Sequence, residues 1–141
     1  MKRRQDATGA STRTEPAAEV DWYASQVIAA AVEVHRVLGA GFVESVYEHA
    51  LCAELELRSV PFRRQVSAVV DYKGHRVGES QLDLLVGERL VVELKAVEAL
   101  AAVHAVQLRS YLKATGCVLG LLINFNVSVL LRGVRRIVST T

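Results

Sequence analysis

Between Gln81 and Lys95 the chain reads QLDLLVGERLVVELK, two apolar-rich runs on either side of Gly87-Glu88-Arg89. A three-residue connection containing a glycine is an ordinary hairpin loop, so this stretch predicts two antiparallel strands. Pairing Val86 with Leu90 sets Leu84 against Val92 and Asp83 against Glu93. Side chains alternate faces along a strand. Leu82, Leu84, Val86, Leu90, Val92 and Leu94 then share one face, and Gln81, Asp83, Leu85, Val91, Glu93 and Lys95 the other. A slip of one residue would scatter both sets, so the pattern itself argues for this register.

Two carboxylates directly across a strand pair repel each other, and stability alone does not ask for them. A divalent cation removes the conflict, and carboxylate oxygens are the hard ligands that Mg²⁺ or Mn²⁺ prefers. Lys95 lies on the same face two residues after Glu93. An ammonium there suits the orientation of a water or the charge developing on a phosphate. The plainer alternative is a solvated face carrying an inconsequential Glu93–Lys95 pair. Against it, VVELKAV is otherwise apolar, as a strand covered on both sides would be, and a charge in such a run needs a partner or a purpose.

Elsewhere the pattern predicts the remaining elements. Residues 1–19 are polar and aperiodic, which predicts a disordered tail before a single domain over 20–141. Asp21 is placed to cap a helix reaching Leu38, with Val27, Ile28, Ala31, Val34, His35 and Leu38 on one stripe. His35 there reads as a satisfied core histidine. Gly39-Ala40-Gly41 turns the chain into a second helix from Val43 to Arg58. Its stripe is Val43, Val46, Tyr47, Ala50, Leu51, Leu55 and Leu57. Glu44 falls in its first turn, where a carboxylate suits the helix dipole; alternatively it reaches the hairpin as a third acid. Glu48 reads as solvated.

Gln65 to Tyr72 predicts a strand, Lys73-Gly74 a two-residue turn, and His75 to Val86 the returning strand, bent near Gly78. After Lys95 the period changes to helical. Ala99 to Ala114 carries an apolar stripe (Leu100, Val103, Leu108, Leu112) and a polar one (His104, Gln107, Tyr111). On the face nearest the Glu93 strand, Gln107 and Tyr111 are placed to bond a phosphate, a water or Lys95; an exposed polar face would need no function. Cys117 to Phe125 is a buried strand, parallel to the Glu93 strand because a helical crossover precedes it. Val127–Leu131 and Val134–Val138 close the chain as a hairpin or an extended edge. Arg63-Arg64 and the cluster Arg132, Arg135, Arg136 suit either phosphate contacts or edge protection.

At 141 residues, 51% hydrophobic, the chain has enough apolar material for one real core. A net charge of +2 permits nucleic acid as a partner without demanding it. Cys52 and Cys117 are isolated, which argues against a zinc site and for a reducing, cytoplasmic setting. Neither a signal peptide nor an apolar run of membrane-spanning length stands in the sequence, so no membrane association is expected.

Gly41 to Tyr47 forms a GxxExxY run. It is followed by YKG (Tyr72–Gly74), DLLV (Asp83–Val86), VVELKAVE (Val91–Glu98), the HxxQxxxY set of His104, Gln107 and Tyr111, and LLINFN (Leu121–Asn126). Together these resemble the bacterial GxxExxY protein family, within the PD-(D/E)XK nuclease-like superfamily, from about residue 21 to the end. The resemblance implies a restriction-endonuclease-like α/β core, a mixed central β-sheet flanked by α-helices. It matches Asp83 to the superfamily's Asp, and Glu93-Leu94-Lys95 to its (D/E)XK. Gln107 and Tyr111 resemble the QxxxY of RecB-type nucleases, and Glu44 the acid on the first core helix. Leu82 stands where many members have Pro.

These readings converge on Mg²⁺-dependent (or Mn²⁺-dependent) phosphodiester hydrolysis, with DNA ahead of RNA as substrate. Asp83 and Glu93, with Glu44, are the expected metal ligands. Asp83, Glu93, Lys95, Gln107 and Tyr111 are the expected catalytic set. One rival is a non-catalytic nucleic-acid-binding or assembly module that keeps the fold. A second is an enzyme acting on another phosphate, such as a nucleotide or an RNA end. A homodimer is the natural way for so small a domain to reach a long substrate.

Overall fold

A computed structural model describes residues 9–139. Its elements are α1 (Gly9–Leu38), α2 (Glu44–Leu57), β1 (Phe62–Tyr72), β2 (His75–Val86), β3 (Leu90–Lys95), α3 (Ala102–Thr115), β4 (Leu119–Asn124), a short 3₁₀ turn (Leu130–Gly133) and β5 (Val134–Val138). The strands form one sheet in the order β1-β2-β3-β4-β5, with β3 and β4 parallel and the other neighbours antiparallel. This is the mixed sheet flanked by helices that the sequence predicts. No helix among the described residues is long and apolar enough to cross a membrane.

The sheet separates two cores. On one face α1 and α2 cover Leu84, Val86, Leu90, Val92, Leu94, Leu121 and Ile123. On the other α3 covers Leu82, Leu85, Val91 and Leu122 through Leu108, Tyr111 and Leu112. Such two-sided cover explains why β3 and β4 are apolar almost throughout. The hairpin register is as predicted, with Leu84 opposite Val92, Leu85 opposite Val91 and Val86 opposite Leu90. Its loop uses two consecutive left-handed residues, Gly87 (φ +61°) and Glu88 (φ +60°).

Several expectations change. Leu82 lies on the α3 side, not with Leu84, because the β1–β2 ladder passes from Arg64↔Leu84 to Val66↔Leu82 and skips Gln65 and Asp83. Helix α1 begins at Gly9, so residues 9–19 belong to it rather than to a tail; residues 1–8, including Lys2-Arg3-Arg4, lie outside the described residues. Asp21 therefore sits inside the helix, and its carboxylate pairs with Arg136 of β5 instead of capping. On α2 the buried side is Tyr47, Glu48, Leu51, Cys52 and Leu55, which turns Val43, Val46 and Leu57 outward. On α3 the buried side is Leu108, Tyr111 and Leu112, which leaves Val103 exposed. Val127–Leu131 is not a strand. Gly133 packs so closely on the Asn124 carbonyl that a Cβ would not fit, and this approach requires a tight turn.

Other expectations hold. Gly39 (φ +73°) ends α1 in the left-handed conformation, and its N–H donates to the His35 carbonyl. His35 is satisfied, its Nε2 lying 2.7 Å from the Val127 carbonyl oxygen. Lys73 and Gly74, both at positive φ, make the two-residue turn. The bend near Gly78 is a bulge: Val70 pairs with Gly78 and Asp71 with Arg76, so Val77 has no opposite residue.

Gly87 ties the central hairpin to α1. A Cβ there would overlap the Tyr23 ring as well as strain a left-handed backbone. Gly87→Ala is expected to cost about 1–3 kcal/mol in chemical denaturation. Placing it in a Tyr23→Ala background should return the part due to overlap and leave the backbone part; an equal cost in both backgrounds would show that the ring plays no role.

Candidate active site

The β2–β3 ladder ends at Leu84↔Val92. At the next position side chains take over from backbone. The Asp83 N–H donates to Glu93 Oε2 at 2.8 Å, and the Leu94 N–H donates to Asp83 Oδ2 at 2.9 Å. Each strand's carboxylate thus accepts from the other strand's main chain. The strands part here without leaving two buried N–H groups unpaired, which would cost about 1–3 kcal/mol each. The predicted juxtaposition of Asp83 and Glu93 is present, and the reciprocal bonds hold them together despite their like charge.

Burial dominates the electrostatics. It is the largest cause pushing the Glu93 carboxyl up to about 8, with the Asp83 charge next; the Asp83 N–H and Lys95 work the other way. Burial also raises Asp83, against the Leu94 N–H, Lys95 and a hydrogen bond from the Gln65 side chain. Glu44 is raised by burial and then by the charge of Asp83, while Lys95 lowers it. Three carboxyl groups therefore share one electrostatic neighbourhood, and the Lys95 charge that acts on all three does not offset their burial and mutual repulsion.

Glu44 is held there by the residues that flank it in sequence. Gly41 takes φ +109° in the loop before α2. Tyr47, fully buried, donates its hydroxyl to the Gly39 carbonyl, accepts from the Phe42 N–H and stacks on Phe125 with ring centroids 4.5 Å apart. The Gly and the Tyr of the GxxExxY run are thus framework, and they aim the first turn of α2 with its Glu44.

Glu48, one turn later, is buried rather than solvated. Its Oε2 accepts from Arg64 Nη2 at 2.8 Å and Nε at 3.1 Å, and the Gln65 amide straddles both its oxygens at 3.1 and 3.0 Å. Arg63 meanwhile forms a two-pronged pair with Glu88. Of the five arginines read as suiting phosphate contacts or edge protection, Arg63 and Arg64 are thus already bound to carboxylates.

On α3, Tyr111 is 9% exposed and faces the acids: burial first, then Glu93 and Asp83, raise its phenol, while a hydrogen bond from the Gln107 side chain lowers it. The phenol therefore stays protonated and can donate. Gln107 itself is exposed. His104 stands apart in role, its Nδ1 accepting from the Ala101 N–H to cap the helix. Lys95 ends β3, its charge acting on Asp83, Glu93 and Glu44; among the described residues it closes no salt bridge.

Asn124 escaped the sequence reading. It is 1% exposed, accepts from the Val97 and Asn126 N–H groups and donates to the Val97 carbonyl, while the Phe125 N–H donates to the Lys95 carbonyl. The segment after Lys95 is fastened by these bonds. A lone Asn in the apolar run LGLLINF was the available signal, since a buried amide must be partnered.

Among the described residues no three His, Cys, Asp or Glu side chains form a ready-made metal cage. The donor set still fits a hard cation that keeps its waters. Mg²⁺ is commonly held by one or two carboxylates and completed by water and substrate phosphates. Buried acids short of positive charge favour such an ion.

The raised Glu93 has a consequence for stability. Unfolded, this carboxyl titrates near 4.5; folded, it is up at about 8. Its contribution is fully present below the lower value and is lost as pH rises through the upper one. Without divalent ions, the melting temperature should fall from about pH 5 to pH 8. Glu93→Gln, which keeps an acceptor for the Asp83 N–H, should flatten that fall. Parallel melting curves for the two proteins across this range would contradict the buried, raised carboxyl.

The family model of the PD-(D/E)XK nuclease superfamily matches residues 21–137. No curated protein and no solved structure shows significant similarity to the chain. The match runs from within α1 to Ile137 in β5 and so reaches every strand of the sheet. The chain belongs to the PD-(D/E)XK nuclease superfamily.

Proposed function

We propose that this protein is a divalent-metal-dependent nuclease that hydrolyses phosphodiester bonds, in DNA before RNA, with Mg²⁺ or Mn²⁺ as its ion. The observation that carries the reading is the reciprocal lock of buried Glu93 and half-buried Asp83, with Lys95 two residues along β3. Asp83 and Glu93 would hold the ion, and Glu44 would add a direct or water-mediated contact. When bound, the ion supplies a water of lowered pKa and neutralises charge on the phosphate. Lys95 orients the attacking water or meets the charge that develops on the phosphoryl oxygens. Tyr111 donates its hydroxyl into the same region, and Gln107 fixes that hydroxyl from one helical turn away. As the attacking water gives up a proton to solvent and forms the new P–O bond, the bond to the leaving oxygen breaks, and that oxygen is protonated from solvent. Two copies acting as a homodimer would address both strands of a duplex.

The second reading is a non-catalytic nucleic-acid-binding or assembly module. The lack of a three-ligand cage among the described residues is what favours it. Metal-induced stabilisation separates the two, because an ion specific for the folded state must raise the melting temperature, by the equivalent of about 2.7 kcal/mol at a hundred times its dissociation constant.

The test is a panel of single-stranded, duplex and branched DNA and RNA, each with Mg²⁺, Mn²⁺ and EDTA. Cleavage should require the metal. Asp83→Asn and Lys95→Ala should each lower the rate by about 10²-fold or more while the far-ultraviolet spectrum stays unchanged. Undiminished cutting by a folded Lys95→Ala protein would refute the mechanism.

A further inference from the structure

Gln65 occupies an unusual position. It stands in the middle of β1 with φ +50°, left-handed backbone that a non-glycine residue avoids. The β1–β2 ladder also skips it, at the same step at which it skips Asp83, which stands opposite between the Arg64↔Leu84 and Val66↔Leu82 pairs. The strand pairing is thus interrupted directly beside a carboxylate of the candidate site. The side chain explains what the interruption achieves. The Gln65 amide nitrogen donates to both oxygens of buried Glu48 on α2, and the same side chain stands across from Asp83 on β2 and holds its carboxyl down against burial. Arg64 completes the support from the other side of Glu48.

We infer that Gln65, anchored by Glu48, is a positioning residue for Asp83: it links α2 to the strand break and fixes the rotamer in which Asp83 presents its carboxylate to a divalent cation. The inference rests on the metal reading above and adds residues outside the GxxExxY, DLLV and ELK runs. The chemistry of the residue type fits. An amide NH₂ carries two donor hydrogens and no charge, so it can serve two carboxylates at once. A carboxylate in its place would add repulsion, and an ammonium would compete with the cation. Partners of this kind orient first-contact ligands, and their loss typically weakens metal affinity by about 10–100-fold.

Stability and function should part company when Gln65 is changed. Gln65→Gly relieves the left-handed backbone but takes two hydrogen bonds from buried Glu48, so the two effects on the apo melting temperature oppose each other. Mn²⁺ affinity, measured by isothermal titration calorimetry, should fall by about 10-fold or more. Gln65→Asn tolerates the same backbone but is one methylene too short to bridge, and it should lose affinity likewise. Wild-type Mn²⁺ affinity in Gln65→Gly would overturn the inference and leave the nuclease reading standing. A lowered apo melting temperature with Mn²⁺ affinity unchanged in both variants would assign Gln65 a purely structural role and overturn it as well. A wild-type chain that takes up no Mn²⁺ would refute the metal reading itself, and the inference with it.

Discussion

The exchange of hydrogen bonds between Asp83 and Glu93 is the constraint on which the rest of this structure turns. A β-ladder satisfies backbone groups uniformly and offers no place for a ligand. Here the ladder between β2 and β3 stops at Leu84↔Val92, and two carboxylates accept the next N–H groups in its place. The strands can then separate in a buried setting. The same step brings two acids together where burial pushes Glu93 up to about 8. A structural solution to strand separation is in this way also a concentration of negative charge. Only the reciprocal geometry makes it tolerable, since like charges facing each other across a sheet otherwise destabilise it.

The break extends to the far side of β2. Gln65 and Asp83 drop out of the β1–β2 ladder together, and the alternation of faces changes hand there, so that Leu82 joins the α3 core while Leu84 joins the α1–α2 core. Asp83 is therefore released from pairing on both edges of its strand. What holds it is drawn from three elements: the Leu94 N–H of β3, the Gln65 side chain of β1, and Glu48 of α2 behind Gln65.

Helix α2 contributes through packing as much as through charge. Tyr47, stacked on Phe125 and bonded to the Gly39 carbonyl, sets the entry of the helix against β4. Asn124 and the Phe125 N–H then secure the chain that leaves Lys95. The loop before α2 and the segment after β3 are thus braced by neighbouring buried residues, Asn124 at the end of β4 and Phe125 just after it. The buried Cys52 thiol on the same helix, pushed up to about 11 mainly by burial, belongs to this framework and not to the chemistry.

The sequence by itself determined the element order, the hairpin register, the parallel β3–β4 pair, the glycine turns and the meeting of Asp83 with Glu93. All of these follow from local periodicity and turn chemistry, which act over a few residues. It did not determine which polar side chains would be buried. Glu48 reads as solvated because its partners, Arg64 and Gln65, are 16 and 17 residues away and follow a strand start that local pattern leaves vague. Asp21 reads as a cap until β5 brings Arg136 to it across 115 residues. Leu82 reads as a neighbour of Leu84 until a left-handed residue on another strand breaks the alternation. In each case the deciding partner is distant in sequence, and periodicity carries no information about a contact that only the closed sheet creates.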